Sequence, residues 1–448
     1  MIKKSLLFLF LFEFAIFSIF SQEQKTEITI EDAIELVKAN NPELKKQKLN
    51  LEDAKRTSEN RWNKFLPNLS ANASVSNGHD FAQSSNWNWK AGAGASLSFS
   101  FGLPATIQQA KLNYLIEQTN YEKLESQTIS EVSTKFYSLI AEQQNIQILK
   151  ESQKLAKNVY EQTLRNYNNG LASELDMLKS QYSYLSIEPQ IQQAQTSYQN
   201  NLANFGLKLG IEDTSNLTLK GELQLEKVNL PSTEELITNY LEKRHDVILS
   251  ELSIKQQELA SKIQKAGSKL PSLNLSENLS LGQNPLYNSE VQQEGINPIS
   301  INGNFSVGIS IPISSWIPGS QDNLKEKSNQ NAITKAEITS AETKKTAKND
   351  IENKVLELNR LWNIIDVSKL NVSIASRSYE LAQDGYRAGL VSQTDLETTR
   401  QQMVNAQLSH LQSQIKYLSA VYDTAYAINM PIEEFYKTFG NQEKINEK

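Results

Sequence analysis

The chain has 448 residues, a formal net charge of -6 and no cysteine. The lack of cysteine excludes disulfides and lipid attachment through an N-terminal cysteine. The acidic balance, without any block of basic residues, gives no indication of a nucleic-acid partner.

The N-terminus predicts export from the cytoplasm. Lys3 and Lys4 precede an apolar run from Leu6 to Phe20 that is interrupted once, by Glu13. The pattern is typical of a secretory signal peptide occupying residues 1–21, and an uncleaved N-terminal anchor is the alternative. No later segment approaches the roughly 18 consecutive apolar residues of a membrane-spanning helix. If the exported chain enters a membrane, we expect it to do so as β-strands.

The remaining chain consists of two related halves, 22–230 and 231–430, followed by a tail, 431–448. "IEDAIELVKANNPEL" near the start of the first half resembles "TEELITNYLEKRHDV" in the second, and "FLPNLS" is echoed by "KLPSLNLS". In each half the Leu-Pro ends a helical pattern.

A β-hairpin is predicted after each Leu-Pro, because the apolar residues then alternate with Ser, Asn and Gly. Strands of about 9 to 11 residues with one apolar face suit either an outer-membrane barrel with a wet lumen or a half-buried soluble sheet. Glu277 on the apolar face counts against the membrane interpretation or places this residue near the rim. Trp87 and Trp89 are expected in the first hairpin loop. Four strands cannot close a barrel, so several chains would have to share one.

Two very long helices are predicted, since Pro104 to Asn166 and Ser320 to Asp384 contain no internal Pro or Gly. Continuous helices of that length would measure ~94 and ~98 Å. A seam of apolar residues in the second helix has the alternating spacing of a left-handed coiled coil; it comprises Ile351, Val355, Leu358, Trp362 and Ile365. Return helices are expected over Glu174–Leu209 and Thr394–Ile428.

The same turn joins each long helix to its return helix: "YNNGLASELD" in the first half and "YRAGLVSQTD" in the second. Gly170 and Gly389 can adopt positive φ and end the long helices. Ser173 and Ser392 each stand three residues before an aspartate, which is the spacing of a helix N-cap. Leu171 and Leu390 are left exposed at the tips.

This ordered pattern, repeated twice behind a signal peptide, resembles the TolC-like outer membrane efflux protein family. The resemblance implies an α+β, mainly α fold, in which coiled-coil helical hairpins form an α-barrel reaching into the periplasm. Four strands per chain would join a trimeric barrel in the outer membrane lipid. The implied function is the exit channel of a tripartite efflux pump or type I secretion system.

The resemblance also implies partners and site residues. A periplasmic adaptor of an inner-membrane pump would dock at the tips, Gly170, Leu171, Gly389 and Leu390. The periplasmic gate would comprise the residues that match the family's gate positions: Asp176, Tyr386 and Asp395.

The gate departs from the best-known pattern of the family. Thr398 stands where a second entrance carboxylate is expected, and Val391 stands where a latch arginine is expected. Glu397 could supply a charge nearby, although it would point to another side of the helix.

No catalytic motif, metal site or cofactor is indicated. His79, His245 and His410 lie far apart in sequence, and His245 is expected to be a surface residue at a helix start. The alternative from another class is a periplasmic coiled-coil adaptor or structural protein that is not a channel. Such a protein needs only one helical hairpin, whereas the sequence has two.

Overall fold

The computed structural model describes residues 26–80, 83–211, 213–214, 216–223, 225–283 and 298–440. The predicted signal peptide, most of the second hairpin loop and the end of the tail lie outside the described residues, as does the side chain of His79.

The described chain is mainly helical with a few strands, as expected. The helices are α1 (Ile30–Asn40), α2 (Pro42–Glu59), α3 (Leu103–Asn168), α4 (Glu174–Leu185), α5 (Glu188–Leu209), α6 (Thr233–Tyr240), α7 (His245–Lys269), α8 (Gln321–Arg387), α9 (Gln393–Ala427) and α10 (Ile432–Phe439). The strands are β1 (Thr26–Ile28), β2 (Asn68–Asp80), β3 (Gln83–Ser100), β4 (Leu217–Leu219), β5 (Ser272–Gln283) and β6 (Ile299–Ser310). None of the described helices has a segment long and apolar enough to cross a membrane.

The chain folds into two compact units. One contains residues up to 45, 125–233 and the residues from 351 onward; the other contains 46–124 and 234–350. The first unit holds the helical tips and the second holds the large sheet.

The large sheet has four antiparallel strands in the order β2-β3-β5-β6. The two predicted hairpins are therefore present, and they pair with each other through β3 and β5. The strands have 13, 18, 12 and 12 residues, so they are longer than expected. The placement of Trp87 and Trp89 in a loop was wrong, because both lie in β3, opposite Asn77 and Val75. The alternation of small or apolar with polar residues continues through them, and β3 continues with it.

One face of this sheet is apolar and exposed. Leu69, Val75, Ile301, Phe305 and Ile309 lie on it, and Ile301 is 76% exposed. Glu277 lies on the same face, opposite Ala95 and Phe305, near the middle of β5 rather than at either end.

The two long helices are confirmed, with 66 residues in α3 and 67 in α8. In the unit of the tips, four residues of the predicted seam of α8 are buried, namely Ile351, Val355, Leu358 and Ile365. The first return helix is interrupted between α4 and α5 at Ser186 and Ile187, just before Pro189. The proline is tolerated there because the first turn of α5 does not need its missing N–H.

A compact core in the same unit joins segments that sequence patterns did not predict. The short strands β1 and β4 pair in parallel, and Ile28, Leu217 and Leu219 pack with Phe136 and Phe205. The segment expected to be a tail contains α10, whose Phe435 and Phe439 are buried.

Tyr417, a buried residue of α9, forms hydrogen bonds with the backbone of the linker between the two halves. The Tyr417 hydroxyl donates to the Glu226 carbonyl at 3.0 Å and accepts from the Val228 N–H at 2.9 Å. Burial raises the pKa of Tyr417 to about 12, so the hydroxyl keeps its proton near neutral pH and can donate this bond.

The expectation of a surface position for His245 was wrong. His245 does begin α7, but it is only 7% exposed, and burial lowers its pKa. The preceding residue explains the position, because the guanidinium of Arg244 bonds to Asp246 and Asp350, each at 2.8 Å, in the same unit.

Alanine should have opposite effects on stability at two glycines, Gly389 in the turn after α8 and Gly267 within α7. Gly389 has φ 76°, and a Cβ there would meet no atom within 4 Å, so Gly389→Ala costs only the backbone penalty of roughly 1–2 kcal/mol. Gly267 lies inside α7 with equally open space, so Gly267→Ala should stabilise by roughly 0.5–1 kcal/mol. Thermal unfolding of the purified protein checks both, and a lower midpoint for Gly267→Ala would contradict the assignment.

Candidate functional site

The candidate site is the pair of helical tips, which share one hydrogen-bond pattern. After α3, Gly170 has φ 72°, and the Leu171 N–H donates to the Asn166 carbonyl at 2.7 Å. After α8, the Leu390 N–H donates to the Gly385 carbonyl at 2.8 Å. Both are Schellman turns, which need a left-handed residue and therefore favour glycine.

Each turn leaves a leucine in solvent. Leu171 is 78% exposed and Leu390 is 84% exposed. The prediction that both leucines are exposed at the tips is confirmed within the single chain. An exposed leucine contributes little hydrophobic free energy to the stability of its own chain. A partner that covered it would bury this apolar surface, and the burial would contribute to the free energy of binding.

The two tip carboxylates cap the return helices. The Ser173 hydroxyl donates to Asp176 at 2.7 Å, and the Asp176 N–H donates back to that hydroxyl at 3.1 Å. Ser392 and Asp395 repeat the arrangement at the same two distances. The predicted S-x-x-D caps are therefore present, and they hold both carboxylates at helix N-termini, where negative charge is stabilised.

Tyr386 has a partner on α3. Its hydroxyl lies 2.7 Å from Oγ1 of Thr163, a fully buried residue. Thr163 donates its only hydroxyl proton to the Val159 carbonyl at 2.9 Å. Tyr386 must therefore be the donor in its bond to Thr163. Within one chain, Tyr386 and Asp176 thus have different partners.

Val391 is part of the packing rather than of the gate chemistry. It contacts a cluster that includes Tyr379 and Leu396, and Tyr386 packs against the same cluster. A Cβ on Gly385 would come within 2.5 Å of the Val391 side chain. The absence of a side chain at Gly385 is what lets Val391 lie against α8.

Sequence patterns did not predict the buried charge of this unit. Arg400 on α9 is 3% exposed and bonds to Glu397 and to Ser152 of α3. The charge of Glu397 is thereby paired with that of Arg400. The spacing of Glu397 and Arg400 was visible in the sequence, but such pairs usually lie on exposed helix faces.

A groove of about 710 Å³ runs between α4 and α9 beside the tips. Its walls include Leu175, Leu178 and Tyr182 from α4, and Thr398 from α9. Lys179, which also lines the groove, donates to Thr394 at 3.4 Å. The groove therefore combines an apolar wall with an amide- and hydroxyl-rich wall.

The described residues offer no metal-binding group. Nowhere among them do three or more His, Asp or Glu side chains lie close enough together to hold an ion. His410 bonds through Nδ1 to the Ser368 hydroxyl at 2.8 Å, and burial lowers its pKa.

Comparison with solved structures identifies the fold. The chain is similar to CusC, described as forming a transmembrane channel, with 15% identity, a TM-score of 0.74, and coverage of 90% of this chain and 92% of that chain. It is similar to the Campylobacter jejuni outer membrane channel CmeC, with 19% identity, a TM-score of 0.72, and coverage of 91% and 88%. For the outer membrane protein VceC of Vibrio cholerae the identity is 16%, the TM-score 0.70, and the coverage 90% and 96%.

Comparison with curated protein sequences gave no match. A model of the family described as "Outer membrane efflux protein" matches residues 33–210 and 236–423, which is more than half of the chain. The two matched segments fall one in each half of the chain, and each contains a tip. The chain belongs to the outer membrane efflux protein family.

Proposed function

We propose that this protein is the exit channel of a tripartite efflux pump or type I secretion system. In this proposal three chains contribute four strands each to a barrel in the outer membrane, and their helices extend into the periplasm as a hollow α-barrel. Membership in the family makes the chain a transport protein rather than an enzyme.

One observation carries this proposal: the large sheet has an exposed apolar face and two open edges. Isolated in water, the face would expose Leu69, Val75, Ile301, Phe305 and Ile309 together, which monomeric soluble proteins avoid. In lipid the same face is favourable, but β2 and β6 would then leave backbone N–H and C=O groups without partners at their outer edges. Pairing β6 of one chain with β2 of the next satisfies both requirements.

The first test is single-channel recording of the purified mature protein in planar bilayers. We expect small pores with a preference for cations, because the tip aspartates carry negative charge. A protein that is monomeric, soluble without detergent and unable to form pores would contradict the channel and favour the periplasmic coiled-coil alternative.

We propose the gate at Asp176, Tyr386 and Asp395 of neighbouring chains. A latch between Tyr386 and Asp176 requires the phenol to leave Thr163, so a neutral hydrogen bond is exchanged for one to a charged acceptor. A hydrogen bond to a charged group contributes roughly 1.5–3 kcal/mol, and the bond to Thr163 is lost in the exchange. The latch therefore stabilises the closed pore by only a fraction of that free energy. Such a latch can be opened by a modest binding free energy from an adaptor.

This geometry predicts opposite effects of two substitutions on the closed pore. Tyr386→Phe removes the latch donor and should raise single-channel conductance several-fold. Thr163→Val removes the competing acceptor, frees the Tyr386 hydroxyl for Asp176, and should lower the conductance or the open probability.

The matched control is Thr119→Val, because Thr119 is also a buried threonine of α3 that donates to the carbonyl four residues earlier. It should leave the conductance unchanged. Equal effects of Thr163→Val and Tyr386→Phe would show that their bond stabilises the closed tip and that no latch to Asp176 exists.

We propose that the adaptor docks on Leu171 and Leu390. Replacing either leucine with aspartate should reduce chemical cross-linking to a periplasmic adaptor in the native host by tenfold or more, on the basis of roughly 1.5–3 kcal/mol for burying a leucine plus the cost of burying a charge. Mass spectrometry of the cross-linked products identifies the adaptor by its sequence.

Leu49→Asp is the control, since Leu49 on α2 is also exposed but lies in the unit that does not contain the tips. The three variants should have the same thermal midpoint. Undiminished cross-linking of both tip variants would place the docking surface elsewhere.

A further inference from the structure

The polar face of the large sheet is almost without charge. Strand register pairs residues 90–100 of β3 with 272–282 of β5, and these with 300–310 of β6. Residues 68–74 of β2 lie beside 90–96 of β3, and together these segments define one region of the sheet. In this region every residue on the face opposite the apolar one is Ser, Asn or Gly, with one exception, Lys90. The face comprises Asn68, Ser70, Asn72, Ser74, Lys90, Gly92, Gly94, Ser96, Ser98, Ser100, Ser272, Asn274, Ser276, Asn278, Ser280, Gly282, Ser300, Asn302, Asn304, Ser306, Gly308 and Ser310.

The neutral groups of this face bond to one another. Ser98 donates to Asn274 at 2.7 Å, and the hydroxyls of Ser276 and Ser306 lie 2.7 Å apart. The carboxylate of this region, Glu277, lies on the opposite, apolar face. Within this region the polar face therefore offers no acidic partner to Lys90.

Lys90 has a defined position on an interior strand. It pairs with Ser74 of β2 and with Gly282 of β5, next to the last residue of that strand. A Cβ on Gly282 would lie 3.3 Å from Cγ of Lys90, so the lysine side chain lies across the glycine. The side chain is nonetheless exposed, and Trp89, on the apolar face, is its neighbour in sequence.

Lys90 lies at the outer end of the region. The strand from Lys90 to Ser100 is roughly 33 Å long at about 3.3 Å per residue. Because barrel strands are tilted by roughly 35–45° from the membrane normal, a strand of this length spans roughly 25 Å along the normal, which is the height of the apolar band of such barrels. If Ser100, which precedes α3, is at the periplasmic end, Lys90 is at the level of the outer membrane surface.

We infer that Lys90 sets the charge preference of the channel's outer mouth. This inference rests on the proposed function, in which the polar face lines the lumen and each chain contributes one Lys90 to a ring. Rings of lysine favour anions in pores, and the Ser, Asn and Gly lining below supplies no opposing charge. The exit then favours anionic and uncharged solutes over cationic ones, opposite in sign to the aspartates of the entrance.

The test is the reversal potential of single pores under a potassium chloride gradient. It is made in a parent that carries Asp176→Asn and Asp395→Asn, so that the entrance carboxylates do not mask the charge of the mouth. The parent should prefer chloride. Lys90→Gln should lower the permeability ratio of chloride to potassium by on the order of twofold at low salt, and Lys90→Glu should lower it further, until potassium is preferred.

Glu277→Gln is the matched control, because it changes a charge of the same sheet on the apolar face. It should leave the reversal potential unchanged. Pores of the parent and of Lys90→Glu with the same ion preference would overturn the inference while leaving the channel intact. No pores from wild type, parent or variants would instead overturn the proposed function.

The cysteine-free chain permits a second readout. In a Lys90→Cys variant of the same parent, a positively charged thiol reagent should restore chloride preference and a negatively charged reagent should remove it. In a Leu279→Cys variant, on the apolar face, neither reagent should change the ion preference. A response at Leu279→Cys with none at Lys90→Cys would reverse the two faces and overturn the inference.

Discussion

The open edges of the large sheet are the constraint on which the rest of the account depends. Backbone groups at the outer sides of β2 and β6 cannot remain unpaired in lipid, and an exposed apolar face cannot remain in water. Both are satisfied only when copies of the chain complete the sheet. The helices α3 and α8, with 66 and 67 residues, are far longer than a compact core within one chain would require.

The two halves use the same local chemistry at their tips but place it in different surroundings. Ser173 with Asp176 and Ser392 with Asp395 form matching caps. Beside the second cap, however, Val391 packs into a cluster against α8, and the buried Arg400 binds Glu397. The first return helix is broken before Pro189, whereas α9 is continuous. The two halves thus share one turn and one cap, while the packing around the second turn differs from that around the first.

Strong local signals made much of this fold predictable. The long helices, the hairpins and the capped turns follow from helix period, strand alternation and glycine or serine at fixed spacings. Tertiary features were not predictable in that way. The burial of His245 depends on Arg244 binding Asp246 and Asp350, and the burial of Arg400 depends on Ser152, a residue distant in sequence. The length of β3 was underestimated because Trp87 and Trp89 were assigned to a loop, whereas β3 already begins at Gln83.

The most direct test of the central claim is a three-dimensional reconstruction, by electron cryomicroscopy, of the mature protein in lipid nanodiscs. The account predicts three chains per particle, with β6 of each chain paired with β2 of the next and the apolar face against lipid. A particle with a single chain, or one in which the sheet lies outside the lipid with its edges unpaired, would contradict it.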